Sequence, residues 1–513
     1  MLAKSDFKKI VISTISRLSY QFASILTLFF LTPFMIKNIG DYNYGIWVLV
    51  TIFVNYLGYT ELGVSSAIER NLAVAIGDKN KEEFNKVHNN GLFLNFIILF
   101  LVLIITFLII AAITLIHFKE YKLVSILILI MGINLALCFP FKSFISIISA
   151  NIRFEIISSI MSIQLLINSL MIFVLLSKGY GLISLALATL TATFFSNLLY
   201  FIFAIKLFNF LPFDFSLINK DTIKKLLGFS RKTFIVQIAD ILRSKLDEMV
   251  IGTFISVKMV TTYSIANKLN SSANNFSLSF LGILNPLFSK YINIKSNDER
   301  VKLFFLISKP VILLSSLVFF GFLFLGYPFI KIWMGVHYLK AYYPLIILAA
   351  GYFIALSQSV GVNYMFSTNT HQYFAYISIL EGVSNLIFSL VFVIYFKMGI
   401  IGVALGTFVS IFLVKTFVQP FVVSKILQIK VSEYYYFFIK NISIGLILYS
   451  LAGLLVLQIN IDGYLKIFGI ALCFVLIALI HFTFMLNNEE KSLIREKIIL
   501  PYLKDFFIIG NNR

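Results

Sequence analysis

Fourteen apolar runs of about 20 residues, set apart by short polar breaks, constrain this chain more than any other feature. At about 1.5 Å of rise per residue, a helix of that length crosses the hydrocarbon core of a bilayer. Inside hydrocarbon only a helix or a closed barrel satisfies its own backbone, and these runs are continuous rather than alternating. The reading is an all-α polytopic membrane protein with spans near 10–36, 45–68, 90–117, 123–148, 155–177, 181–206, 231–256, 260–289, 303–332, 342–367, 373–396, 399–424, 434–458 and 464–486. A hydrophobic fraction of 59% over 513 residues excludes soluble domains of this length.

A formal net charge of +19 would suggest a nucleic-acid partner in a soluble chain. Here the basic residues gather in alternate loops, about three to one, which sets topology instead and places both termini in the cytoplasm. No nucleic acid is expected. The run from Ile10 to about Ile36 lacks a small-residue cleavage site, so it reads as an uncleaved first span. Cys138 and Cys473 sit in apolar stretches and read as core residues, with no disulfide. The histidines show no ligand spacing: His88, His337 and His371 read as loop residues, His117 as a helix end and His481 as a hydrogen-bonded structural group. No metal or cofactor is expected beyond a coupling ion, H+ or Na+.

Span seven breaks the apolar rule. Between Arg231 and Ser256 it carries Asp240, Arg243, Lys245, Asp247 and Glu248, and each charge at a helix centre costs about 3 kcal/mol in lipid. This helix cannot face lipid. Either the charges neutralise one another, Asp240 and Asp247 flanking Arg243 while Lys245 meets Glu248, or the helix lines a watery cavity that receives a substrate or a coupling ion.

Other polar groups share faces in neighbouring spans. Span one has Ser13, Arg17, Tyr20, Gln21 and Ser24; span two has Glu61, Ser65 and Glu69 at i, i+4 and i+8, then Arg70. Span eight is the most polar, with Tyr263, Asn267, Lys268, Asn270, Ser271, Asn274, Asn275 and Asn285. Asparagine amides in lipid would stay unpaired, so that helix must face protein or water. Glu381 and Asn385 stand one turn apart in span eleven.

An internal repeat divides the chain. Ser149-Ala150-Asn151 recurs as Ser367-Thr368-Asn369, and the run from Gly181 to Thr189 recurs from Gly399 to Thr407, both displaced by 218 residues; Tyr44 and Tyr263 follow at nearly the same shift. The expected organisation is an N-lobe at 1–210 with spans one to six, a cytoplasmic linker at 211–230, a C-lobe at 231–424 with spans seven to twelve, two further spans at 425–487 and a cytoplasmic tail at 488–513. In the linker, Asp221 is positioned to cap a short amphipathic helix showing Lys224 and Lys225 to headgroups. Gly402 and Gly406 allow close helix approach.

The passage LGVSSAIERNLAVAIGDKNKEEF, Leu62 to Phe84, resembles the end of the second helix and the following loop of polysaccharide-exporting lipid flippases. LDEMVIGTFISVKMVTTYSIANKL, Leu246 to Leu269, is similar to their seventh and eighth helices: an acidic residue, an Ile-Gly pair, then a Tyr, an Ala and a Lys-Leu. These are the Wzx-type O-antigen and capsule flippases, of the superfamily that includes multidrug and toxin extruders and the lipid II flippase. The resemblance covers about 10–487, and its motifs specify superfamily better than substrate.

The resemblance implies a V-shaped pair of six-helix lobes plus two helices. By alternating access these would carry a polyprenyl-diphosphate-linked oligosaccharide to the outer leaflet, with a polymerase and a chain-length regulator as pathway partners. Asp247 and Lys268 take the family's helix-seven acidic and helix-eight basic places; the roles of Arg243, Lys245 and Glu248 rest on physical argument alone. Arg243, Lys245, Lys268 and Arg17 are the candidate diphosphate ligands, since guanidinium grips phosphate oxygens in bidentate fashion and ammonium adds less directional charge. Gln21, Asn267, Asn270 and Asn274 are candidates for sugar hydroxyls. Asp240, Asp247, Glu248, Glu61 and Glu381 are candidates for ion coupling or charge pairing. A cation-coupled drug exporter on the same fold predicts a cavity of carboxylates and aromatics without these basic residues. A membrane polymerase or ligase needs a long catalytic outer loop, which no loop here provides, so no enzymatic activity is expected. A membrane scaffold gives no reason for so many mid-membrane charges.

Overall fold

The computed structural model describes residues 4–116, 120–208, 213–228, 246–281, 296–368 and 370–494. The helices in chain order are α1 (Lys4–Leu57), α2 (Val64–Gly77), α3 (Lys81–Ile116), α4 (Tyr121–Ala150), α5 (Phe154–Ser177), α6 (Ile183–Phe208), α7 (Asp247–Phe254), α8 (Val257–Leu281) and α9 (Asn297–Trp333). They continue with α10 (Tyr342–Ser357), α11 (Ser359–Ser367), α12 (His371–Leu390), α13 (Gly399–Leu413), α14 (Gln419–Leu427), α15 (Val431–Val456), α16 (Tyr464–Met485) and α17 (Asn488–Ile494).

Among the described residues, eleven helical stretches are long and apolar enough to cross a membrane. The difference from fourteen has identifiable sources. The first stretch, Ile15–Glu61, runs through two expected spans, with Gly40 (φ 78°, ψ 164°) turning the chain between them, a conformation open to glycine because it has no Cβ. Span seven lies largely within 229–245, outside the described residues. Span eight is the 25-residue helix α8, which is not among the eleven.

Several spans that read as continuous are interrupted. Span two stops at Leu57 and makes a single 3-10 turn, Gly58–Glu61; it then passes through two left-handed residues, Leu62 (φ 53°) and Gly63 (φ 81°), before α2 begins. A leucine in that region costs roughly 1 kcal/mol. Span ten breaks at Gln358, between α10 and α11. Spans eleven and twelve each contain a π turn, Val391–Tyr395 and Val414–Val418. His88, read as a loop residue, lies buried inside α3 between Phe84 and Phe144, because the helix starts at Lys81 with the Asn80 side chain accepting from the Glu83 amide.

Contacts group the chain into two units, Met1–Ile283 with Gln372–Ser410, and Leu284–His371 with Ile411–Arg513. The first has a core of Val64, Ile68, Leu72, Phe84, Phe139, Ile147 and Tyr200. Gly91 brings α3 onto α2: a Cβ there would stand 2.7 Å from Ile68 Cδ1. The linker is fastened to the same core. Asn89 Oδ1 accepts from the Asp214 amide at 2.8 Å, Asn90 Oδ1 accepts from the Asn219 amide at 2.9 Å, and Asn90 Nδ2 donates to the Leu217 carbonyl at 2.9 Å. Residues 220–228 are helical with Leu226 fully buried. Asn219, not Asp221, caps this helix, accepting from the Asp221 amide at 2.7 Å. Lys225 pairs with Glu83 at 3.0 Å.

The second unit is centred on Phe320, stacked on Tyr449 at 4.9 Å, with Phe474 beside them. His481 fills the space left by Gly445 and meets the Asn441 carbonyl at 2.9 Å. A buried Lys309–Glu490 ion pair at 2.5 Å ties α17 to α9, and Glu490 also accepts from the Asn487 amide at 2.7 Å.

This unit contains a stapled joint. Within the π turn the Gln419 amide bonds the Val414 carbonyl, so the next donor in that register belongs to Pro420, which has none. Side chains supply what the backbone lacks: Gln358 Nε2 donates to the Lys415 carbonyl at 2.9 Å, and Tyr435 donates to the Thr416 carbonyl at 2.5 Å. Gln419 Nε2 returns a bond to the Gln358 carbonyl at 3.0 Å, and Lys415 Nζ donates to Gln419 Oε1 at 2.9 Å. Orphaning a buried carbonyl costs about 1–3 kcal/mol, so Gln358→Leu is expected to lower thermal stability by about 2 kcal/mol. Adding Pro420→Ala, which restores a backbone donor, should recover about half of it; comparing unfolding midpoints of the single and double variants measures this.

Candidate functional site

The polar residues of spans seven, eight, eleven and twelve meet in the first unit around one carboxylate. Asp247 opens α7, with about 12 Å of helix between it and Phe254. Its Oδ2 accepts from Tyr263 of α8 at 2.5 Å and from Thr407 of α13 at 2.8 Å; its Oδ1 accepts from Asn385 of α12 at 3.1 Å. The Thr407 hydroxyl also lies 3.1 Å from Asn385 Oδ1 and 3.3 Å from the Val403 carbonyl, and Ser389 donates to Asn385 Oδ1 at 3.1 Å. Gly406 makes this convergence possible, because a Cβ there would stand 2.7 Å from Ser389 Cα. The result is a compact set of oxygens around a single formal charge, a chemistry suited to a proton or a hard monovalent cation.

Beside it, Glu248 is buried and accepts from Asn267 at 2.5 Å. Lys268 donates to the Tyr44 hydroxyl, and its Nζ lies 4.8 Å from the centre of the Tyr44 ring. Tyr44 and Tyr263 are both fully buried. These repeat-related tyrosines therefore do parallel work, one receiving a hydrogen bond from a lysine and the other giving one to an aspartate.

Helix α1 approaches α7 and α8 closely here. Thr261 donates to the Asp41 carbonyl at 2.6 Å, a Cβ on Gly45 would stand 3.0 Å from Val257 Cγ1, and one on Gly252 would stand 2.9 Å from Leu49.

The remaining candidates are dispersed. Asp240, Arg243 and Lys245 lie outside the described residues. Arg17 lies over Phe154 at 5.6 Å, near the Arg153–Glu155 pair that Ser13 joins at 3.0 Å, and Gln21 is half-buried one turn along α1. Glu61 accepts from Lys142 at 2.5 Å and from Ser65 at 3.0 Å, while Glu69 accepts from Ser149 at 2.5 Å. Glu381 is buried one turn before Asn385, and its carbonyl accepts from Ser410 at 2.5 Å. Asn270 is buried with its amide 3.3 Å from the Ala266 carbonyl, and Asn274 is half-buried. Tyr44, Asn385 and Thr407 were not among the expected site residues, although the repeat marks Tyr44 and Thr407 in the sequence.

Eleven helices long and apolar enough to cross a membrane, among the described residues, define the class, a multi-pass membrane protein, and the fold is shared with solved transporters. The structure of the lipid II flippase MurJ in an inward closed conformation superposes with a TM-score of 0.67 at 18% identity, over 94% of this chain and 99% of that one. The inward-facing conformation of a multidrug resistance MATE family transporter of the MOP superfamily gives 0.62 at 16% identity, over 81% of this chain and 99% of that one. The uncharacterized membrane protein EpsK of Bacillus subtilis (strain 168) is 22% identical over 507 residues, 95% of this chain and 98% of its own length. The model of the polysaccharide biosynthesis protein family matches residues 7–292, and the chain belongs to that family.

Proposed function

We propose that this protein is a flippase that carries a polyprenyl-diphosphate-linked oligosaccharide repeat unit from the cytoplasmic to the outer leaflet of a bacterial inner membrane, for O-antigen, capsule or a related surface polysaccharide. The observation that supports it most is that Lys268 and Asp247 stand on consecutive helices, each hydrogen-bonded to a fully buried tyrosine, Lys268 to Tyr44 and Asp247 to Tyr263. A lipid-linked sugar presents a diphosphate that must leave the headgroup layer and a tail that stays in lipid. Such cargo needs fixed cationic groups at mid-membrane, and a carboxylate that can exchange an ion for each cycle. Lys268, Arg17, Arg243 and Lys245 serve the diphosphate; Gln21 and Asn274 serve sugar hydroxyls; Asp247, with Asn385 and Thr407, binds the coupling ion, H+ or Na+.

In this reading both termini are cytoplasmic, and lobes at 1–210 and 231–424 alternate about the linker at 211–230. The spans at 425–487 flank them, and a polymerase and a chain-length regulator act downstream. No covalent step is involved. Moving each net charge across the membrane is worth about 2.3 kcal/mol per 100 mV, so transport responds to membrane potential.

The test is translocation of a fluorescent polyprenyl-diphosphate oligosaccharide by the purified protein in vesicles, alongside Arg243→Ala and Lys245→Ala. Protein-dependent movement that the variants lose supports the assignment, with an expected drop of about tenfold per lost phosphate contact. Variants that insert normally and transport at the parent rate would remove span seven from the phosphate site. Uptake of cationic dyes under an ion gradient, with no glycan movement, would replace the flippase by a drug exporter.

A further inference from the structure

We infer that Tyr44 is a positioning residue for the diphosphate: it fixes the Lys268 ammonium toward the incoming anion only while α1 is seated against α8. The proposal rests on the reading above, in which Lys268 meets the diphosphate. The Tyr44 ring is fully buried, so its hydroxyl has one place to be, and Lys268 reaches it from the other helix by both a hydrogen bond and a cation–π contact. An ammonium has three N–H groups; Tyr44 takes one and aims the other two. A free lysine side chain gives up rotamer entropy on binding an anion, and a lysine already held gives up less.

The hold is conditional. It exists because Gly45 lets α1 touch the start of α8, Gly252 lets the neighbouring α7 close on α1, and Thr261 bonds the Asp41 carbonyl. Parting that seam removes Tyr44 from Lys268. Affinity for the diphosphate is then high with the seam closed and lower with it open, which links binding of the anion to the state of the seam without any change in the cation itself. On the other copy of the repeat, Tyr263 holds Asp247 within a helix pair that is adjacent in sequence, so its contact does not depend on α1.

The experiment measures binding and movement separately, with the full-length protein. Titration calorimetry with inorganic pyrophosphate and with polyprenyl diphosphate gives affinities for the parent, Tyr44→Phe, Lys268→Gln and the double variant. Phenylalanine keeps the ring and removes only the hydroxyl. Tyr44→Phe is expected to weaken diphosphate binding about fivefold and to raise the KM for translocation by a similar factor, with the maximal rate within about twofold. The double variant should bind no more weakly than Lys268→Gln alone, because the two act as one unit. Additive losses, an unchanged affinity in Tyr44→Phe, or a parent protein that binds neither diphosphate would overturn the positioning role. A parent that binds diphosphate, loses affinity in Tyr44→Phe and moves no lipid would support the positioning role while refuting the flippase.

Discussion

Asp247→Asn is expected to slow translocation about tenfold or more while substrate affinity stays within about threefold. The substitution is nearly isosteric, and two of the three donors at the carboxylate are hydroxyls, Tyr263 and Thr407, which can turn to accept from an amide. The cluster therefore keeps its shape and loses its charge. Without a charge the site can neither take up a proton nor balance a cation, so the step that resets the carrier fails while the phosphate ligands remain in place. Measured side by side, binding by calorimetry and transport in vesicles separate the two effects. Equal losses in both would mean that Asp247 is a structural acceptor for α8, α12 and α13 and nothing more.

The second large effect concerns stability. Glu490→Ala is expected to destabilise the protein by about 3 kcal/mol, because it strands the Lys309 ammonium, whose side chain is only 4% exposed. Lys309→Met should cost less, about 1–2 kcal/mol, because the carboxylate it leaves is 17% exposed and keeps the Asn487 amide as a donor. Unfolding midpoints of the two variants test the asymmetry. Equal effects would show that α17 is held by apolar contact rather than by this charge.

The sequence made the helical class and the polar stripe of span eight legible because each depends on local hydrophobicity, which lipid imposes without regard to neighbours. It also marked Asp247 and Lys268, since charge in an apolar run is conspicuous. Their partners were harder to see. Asn385 and Thr407 are ordinary polar residues in helices more than a hundred positions away, and what brings them to Asp247 is a backbone contact at Gly406. Glu61 illustrates the same limit: its spacing with Ser65 and Glu69 is plain in the sequence, but Lys142, which neutralises it, lies on another helix. The break at Gln358 left no signal because glutamine is not a usual helix breaker, and an apolar run reads alike whether or not the helix within it is continuous; the break at Leu62 was marked only by the flanking Gly58 and Gly63.

The two π turns have an evolutionary meaning as well as a mechanical one. Each accommodates one residue more than an α-helix would hold in the same rise, while the helix beyond keeps its orientation. Deleting a residue elsewhere in these spans would rotate everything downstream by about 100° and carry Thr407 or Gln419 out of its contacts. Deleting one inside Val391–Tyr395 or Val414–Val418 would return the turn to α-helical register, at Val414–Val418 with loss of the Gln358 and Tyr435 bonds described above. Relatives of this chain that differ from it in length within the membrane should therefore gain or lose their residue at these two places, and an alignment that puts the gap there will keep the Asp247 cluster in register.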